Sequence, residues 1–225
     1  MSLLSLSPEL RLLIAGAAEC ERDINSLART SRQCYQDLNE YLYEHNVKFG
    51  KSSALIWAVK HGVITTAMRM LNAGCDINAK DDYCDGSALW HAAICGQEGM
   101  VALLLGIDGI DINSQNGHSR STALTEAVDL GHKGVVQLLL AADGVQVNLM
   151  DGLGRIPLST AVRKGELEVT KLLLMTRGVD VNLEDGNGLT PLMHATCNKC
   201  TSSVSLLMGV AGVNLNTRDR FGRTH

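Results

Sequence analysis

Three side chains in the sequence carry the spacing of a metal site: His194, Cys197 and Cys200 form an HxxCxxC run. Imidazole and thiolate are both zinc ligands, and a closed structural site takes four of them in a tetrahedron. The run supplies three, no second CxxC or His pair lies near it, and His225 is the further donor placed to approach it from the next copy of the pattern described below. A helix end is also expected between the two cysteines. The reading is therefore of a chain with no metal and no cofactor. Nucleophilic catalysis is no better served. No Ser, His and Asp grouping stands apart from positions that a repeat dictates, and no glycine-rich loop follows a strand, so no catalytic residue is assigned and the chain reads as non-enzymatic. The remaining chemistry is that of recognition: aromatic and charged side chains of the kind that anchor protein interfaces, led by Trp57.

What must position such residues is a repeated unit. The alanine or proline that opens a first helix stands at Ala54, Ala88, Ala123, Pro157 and Pro191, with successive spacings of 34, 35, 34 and 34. A glycine column follows at Gly62, Gly96, Gly131 and Gly165, with Lys199 in the fifth place, and an asparagine column closes each unit at Asn78, Asn113, Asn148, Asn182 and Asn216. Self-similarity at this period specifies a solenoid of stacked helix pairs. Small alanines at 58, 92, 127, 161 and 195 allow first helices to approach, the LLL blocks of the second helices are core, and Gly74, Gly109, Gly144, Gly178 and Gly212 sit where a helix end turns through positive φ. Lys199 is expected to carry a cost if its position is left-handed. The hairpins following Asn78 and Asn113 are one residue longer than the next two, which marks Asp82, Tyr83, Cys84 and the stretch His118 to Arg120 as projecting contact points. After Asn216 a sixth copy begins, with Gly222 and Thr224 lying 34 after Gly188 and Thr190.

Composition narrows the partner. The net charge is −4 and the 20 basic residues are scattered, so no phosphate-tracking stripe exists and nucleic acid is not expected. The seven cysteines are odd in number and spread along the chain, which fits free thiols in a reducing compartment and a cytoplasmic or nuclear location. The apolar run at 12–18 follows Glu9 and Arg11 with no basic segment before it, unlike a secretory leader, and the other apolar runs are too short to span a bilayer. No membrane partner is expected.

Residues 1–49 hold no copy of the repeat and read as three short helices. Pro8 and Glu9 suit a helix start, and Leu10, Leu13 and Ile14 share a face; Ile24, Leu27 and Ala28, then Cys34, Leu38 and Leu42, give two further apolar stripes. The opening LSPEL, then LLIA and ERDINSLARTSRQCY, resembles the F-box-like segment that precedes ankyrin repeats in many filamentous-fungal proteins. Leu6, Pro8, Glu9, Leu10, Leu27, Thr30, Ser31 and Arg32 match that signature, whereas Ala17 and Ala18 stand where relatives carry bulky residues. The resemblance implies docking on a Skp-type adaptor of a cullin ubiquitin ligase, through Leu6, Pro8, Glu9, Leu10, Ile14 and Leu27. A helical bundle that only caps the apolar end of the solenoid is the alternative.

From residue 50 onward the units resemble ankyrin repeats, whose TPLHxA signature recurs as SALWHA, TALTEA, IPLSTA and TPLMHA. The fold class expected is all-α: an ankyrin-repeat solenoid of five helix pairs (about 50–80, 81–115, 116–150, 151–184 and 185–218) with a sixth-repeat stub at 219–225, preceded by the small F-box-like bundle. In ankyrin proteins the residue before the conserved alanine of the first helix tends to face the binding groove, which here gives Trp57, His91, Glu126, Thr160 and His194. The ladder three residues on gives Lys60, Ile94, Asp129, Arg163 and Cys197. The resemblance thus implies a protein client held by Trp57, His91, Glu126 and Arg163, with Tyr83 and Arg120 on the longer tips. The function expected is a protein-binding adaptor, either the substrate-recognition subunit of a ubiquitin ligase or a scaffold or inhibitor without a ubiquitin role.

Overall fold

The computed structural model describes residues 53–81, 83–218 and 222. Asp82, His225 and the N-terminal segment, with its proposed docking residues Leu6, Pro8, Glu9, Leu10, Ile14 and Leu27, lie outside the described residues. Among the described residues are ten helices in five pairs: α1 (Ser53–Lys60) with α2 (Ile64–Asn72), α3 (Ala88–Ile94) with α4 (Glu98–Leu105), α5 (Ala123–Asp129) with α6 (Lys133–Ala141), α7 (Pro157–Lys164) with α8 (Leu167–Met175), and α9 (Pro191–Cys197) with α10 (Thr201–Met208). Beyond an isolated antiparallel bridge between Lys80 and Ser87, no extended pairing occurs among them.

Each helix is too short to hold in water alone, so it exists because its apolar side is covered. The first helices α1, α3, α5, α7 and α9 stack in one row, and α4, α6, α8 and α10 stack in a second. The alanines that permit the first row are fully enclosed at 58, 92, 127, 161 and 195. In the second helix of each pair a large side chain, Met70, Leu104, Leu139, Leu173 or Leu207, goes wholly inside, joined by smaller ones such as Ala67, Val101, Val135 and Val136. The leucines flanking the middle member of each LLL block are only partly covered, so the block is a single core residue with two shoulders.

Helix ends follow the local sequence. Ser87, Thr122 and Thr190 accept hydrogen bonds from the backbone N–H of Trp90, Thr125 and Met193 respectively, and so cap α3, α5 and α9. Ile156 cannot cap α7, which instead starts with Pro157, a residue lacking the donor that would need satisfying. Gly165 ends α7 in the left-handed region at φ 76°, and Lys199 occupies the equivalent place at φ 55°, so the expected cost of that replacement, about 1 kcal/mol, is present.

The asparagine column ties neighbours together. Asn78 Nδ2 donates to the Gly109 carbonyl while its Oδ1 accepts from Asp111 N–H, each at 2.8 Å. The same two-way bond joins Asn113 to Gly144 and Gln146, Asn148 to Gly178 and Asp180, and Asn182 to Gly212 and Asn214. At the opposite ends of the units, the hairpin tips touch through backbone: Gly117 N–H donates to Cys84 O, Gly152 N–H to Ser119 O, and Gly186 N–H to Gly154 O. The last approach is so close that a Cβ on Gly154 would lie 2.5 Å from the Gly186 Cα, which only glycine avoids.

Candidate functional site

The hairpins that precede the first helices are built on a column that falls three residues after each asparagine: Asp81, Asn116, Asp151 and Asp185. In every case Oδ1 gathers backbone N–H groups of its own turn. Asp81 takes Cys84 and Gly86, Asn116 takes Ser119 and Ser121, Asp151 takes Leu153 and Arg155, and Asp185 takes Asn187 and Leu189. The short polar side chain thus replaces a missing backbone partner, the ordinary reason Asx residues build turns. The second carboxylate oxygen is left for a partner chosen by the unit.

Three choices are made. In the fifth unit His194 Nε2 lies 2.8 Å from Asp185 Oδ2, both side chains being about a tenth exposed. Burial works against the charged carboxyl there, but the N–H groups of Leu189 and Asn187 and the His194 ring outweigh it and hold Asp185 below the usual carboxylate range. In the fourth unit Arg155 Nε reaches Asp151 Oδ2 at 2.6 Å, and its other nitrogens contact Glu126 Oε1 at 3.1 Å and Asp129 Oδ2 at 3.2 Å. Asp129 also meets Arg163 and Lys164, at 3.4 and 3.3 Å. One arginine therefore brackets units three and four.

In the second unit His91 Nε2 and Lys60 Nζ both lie 2.8 Å from Asp81 Oδ2, and Cys84 Sγ lies 3.1 Å from Oδ1. Burial opposes the charge on Asp81, yet Lys60, the Cys84 N–H and thiol, and His91 hold it far below the ordinary carboxylate range. Burial also pushes the His91 ring down, so at neutral pH it is an uncharged donor to Asp81. The Cys84 thiol is pushed up by burial and by Asp81. This trio is no catalytic relay. The same nitrogen of His91 faces both the carboxylate and the sulfur, which lies 3.9 Å away, whereas a relay needs the imidazole to use its two nitrogens in opposite directions.

The residues expected at the groove are placed unequally. Trp57 is half-exposed at 52% and stacks on His61 with ring centroids 4.4 Å apart. Its column-mates His91, Thr160 and His194 are buried, because the hairpin tips fold back over that face of the first helices; Glu126 is half-buried in the Arg155 bracket. The ladder three residues on is the more open one, with Lys60, Arg163 and Cys197 exposed. Glu126 and Arg163 belong to one charge network, while Trp57 sits at the first unit away from it. Arg120 is exposed at a tip with φ 49°, and Tyr83 is 88% exposed. Cys197 closes α9 and Cys200 precedes α10, while His194 is committed to Asp185.

Sequence reasoning missed three things. The Asx column was readable as an asparagine followed three residues later by Asp or Asn. Arg155 stood in a hairpin rather than on a helix ladder. Leu153, 68% exposed, falls in one register with Tyr83, His118 and Asn187, two residues past each Asx, and all four are exposed.

A family model described as ankyrin repeats in three copies matches residues 27–116, 55–151 and 124–219. The chain belongs to the ankyrin-repeat family. No curated protein matches it. Ankyrin repeats are typically non-catalytic modules for protein–protein interaction, and the exposed row at the hairpin tips is the kind of surface such a module presents. Among the described residues no helix is long and apolar enough to cross a membrane.

Proposed function

We propose that this ankyrin-repeat chain is a non-enzymatic adaptor that holds a protein client along its hairpin tips and the open ladder of its first helices. Trp57, Tyr83, Arg120 and Arg163 make the contacts, while His91 and Glu126 act beneath them by holding the hairpins. The observation that carries this is the exposed tip row, in which Tyr83 at 88% and Leu153 at 68% offer apolar anchors flanked by polar neighbours. Residues 1–49 would recruit a Skp-type subunit of a cullin ubiquitin ligase through Leu6, Pro8, Glu9, Leu10, Ile14 and Leu27, a reading supported by the LSPEL opening. The client would be met in the cytoplasm or nucleus.

Photo-crosslinkers placed in cells at position 83 and at position 153 should trap the same protein. A third at Met175, equally exposed at 86% but on the second-helix row, should not. Crosslinks that do not distinguish these positions would remove the tip row as the contact. The ligase half is tested separately, by mixing the full chain with a purified Skp-type subunit. Retention that Leu10→Asp abolishes supports it, and no retention ends it.

A second reading has its own observation. The family match begins at residue 27, inside the N-terminal segment, which favours helices that continue and cap the stack. On that reading the Skp-type subunit is not retained and Leu10→Asp lowers the melting temperature instead.

A further inference from the structure

Asp81, Cys84 and His91 bring three different metal-ligand atoms within 4.8 Å of one another, and among the described residues no other such trio forms. The comparison with the fifth unit isolates what is special. Both units hold an Asp–His pair at 2.8 Å as part of hairpin construction, but only the second adds a thiol, 3.4 Å from Asp81 Oδ2 and 3.9 Å from His91 Nε2. We propose that Asp81, Cys84 and His91 form a binding site for a zinc-like divalent cation at the base of the second-unit hairpin, with solvent water as the fourth ligand.

The geometry is close to what such an ion takes. With bonds of about 2.0 Å to nitrogen or oxygen and 2.3 Å to sulfur, a tetrahedron separates two light ligands by about 3.3 Å and sulfur from either by about 3.5 Å. The observed Asp81–His91 separation is 2.8 Å, so that pair must open by about 0.5 Å, and the Cys84–His91 distance of 3.9 Å must close by about 0.4 Å. Both are within the reach of side-chain rotation. The carboxylate is already oriented, since Oδ1 is held by the N–H groups of Cys84 and Gly86 and Oδ2 is turned toward the ring, the outer-shell support that metal sites use. Room is provided by Gly86, where a Cβ would lie 3.0 Å from His91 Nε2 and 2.7 Å from the Trp90 ring. The site is half-buried at Cys84, which leaves a face for water.

Binding balances in protons. The cation takes the Cys84 sulfur as thiolate, and that proton leaves to solvent; His91 stays neutral by moving its proton from Nε2 to Nδ1. The ion and its two anionic ligands together are electrically neutral, with His91 and the water adding no charge. Lys60 is a competitor, because its ammonium sits 2.8 Å from the same Oδ2, and its side chain, 40% exposed, must swing into water. A bound ion would fix the loop that carries Tyr83 without touching the tip row itself.

The test uses the full-length reduced chain and cobalt(II) or zinc(II) alone. Cobalt(II) should give one equivalent of a tetrahedral spectrum with a sulfur-to-metal charge-transfer band, and zinc(II) should protect Cys84 from alkylation. Cys84→Ser should lose the band and weaken zinc binding by at least about a hundredfold. Lys60→Ala should tighten it by about fivefold, since a like charge is removed. The Cys197→Ser/Cys200→Ser variant should keep the band unchanged. His91→Gln provides a second variant, with circular dichroism confirming that the stack is intact. A band that survives Cys84→Ser, one lost in Cys197→Ser/Cys200→Ser, or Cys84 alkylated at the same rate with and without zinc overturns the site.

Discussion

The hairpins of units four and five solve one problem in two ways. Both use Oδ1 of an aspartate to collect two backbone N–H groups, but Asp151 then gives Oδ2 to an arginine that also grips the preceding unit, whereas Asp185 gives it to a histidine of its own helix. The turn is thus specified by one oxygen, and the other is free to become an inter-unit bracket or an internal staple. Local construction and coupling between units are separable within a single side chain.

The shared core beneath this contrast can be broken first. Leu139→Ala, in the unit that the Arg155 bracket grips, should cost roughly 2 to 5 kcal/mol by opening a cavity at a fully buried site, read as a lower urea midpoint. Asp151→Ala should follow at about 3 kcal/mol, because it removes the buried carboxylate from Arg155, leaving Glu126 and Asp129 to hold it, and leaves two turn N–H groups without their acceptor. The low end of the usual range applies, since Arg155 keeps some access to water. Should Asp151→Ala cost no more than Asp185→Ala, the bracket adds nothing and the contrast fails.

His194→Ala should cost about 1 to 3 kcal/mol, by leaving a buried carboxylate oxygen without its donor. The pair also has a pH signature. Asp185 has its folded pKa depressed below the ordinary 3.8, so its contribution is complete above that value and is lost as pH falls through the lower folded value. Acid titration of stability should therefore be flatter below about pH 4 in Asp185→Asn than in the parent chain. A parallel pair of curves would show that the carboxylate contributes no pH dependence.

The smallest effect sharpens the comparison at the far end of the fifth unit. Lys199→Gly should raise stability by up to about 1 kcal/mol, since the left-handed position no longer strains a side chain; an unchanged or lower melting temperature would count against that strain.

The scaffold was legible in the sequence because its columns are set by backbone needs that few residue types meet. Ala58 and its counterparts must be small, Gly165 must turn left-handed, and Asn78 must both donate and accept. The aim of the side chains was less legible. His91, Thr160 and His194 break the pattern by identity, yet they are buried, because what covers a first helix is the hairpin folding back from the same unit. Departure from a repeat therefore marked chemistry without marking exposure. Asp81 and Asp151 carried the site and escaped notice because a turn-building aspartate has the same appearance in sequence whatever its second oxygen holds.

The asparagine bonds between adjacent units have a mechanical corollary. Each joins one unit only to the next, so tension applied along the chain passes through them in series rather than being shared. The array then yields one unit at a time, beginning wherever the link is weakest. A unit of 34 or 35 residues releases roughly 110 Å of slack on rupture. A force–extension trace would be a sawtooth of nearly equal teeth, and the protein would behave as a soft, resettable spring.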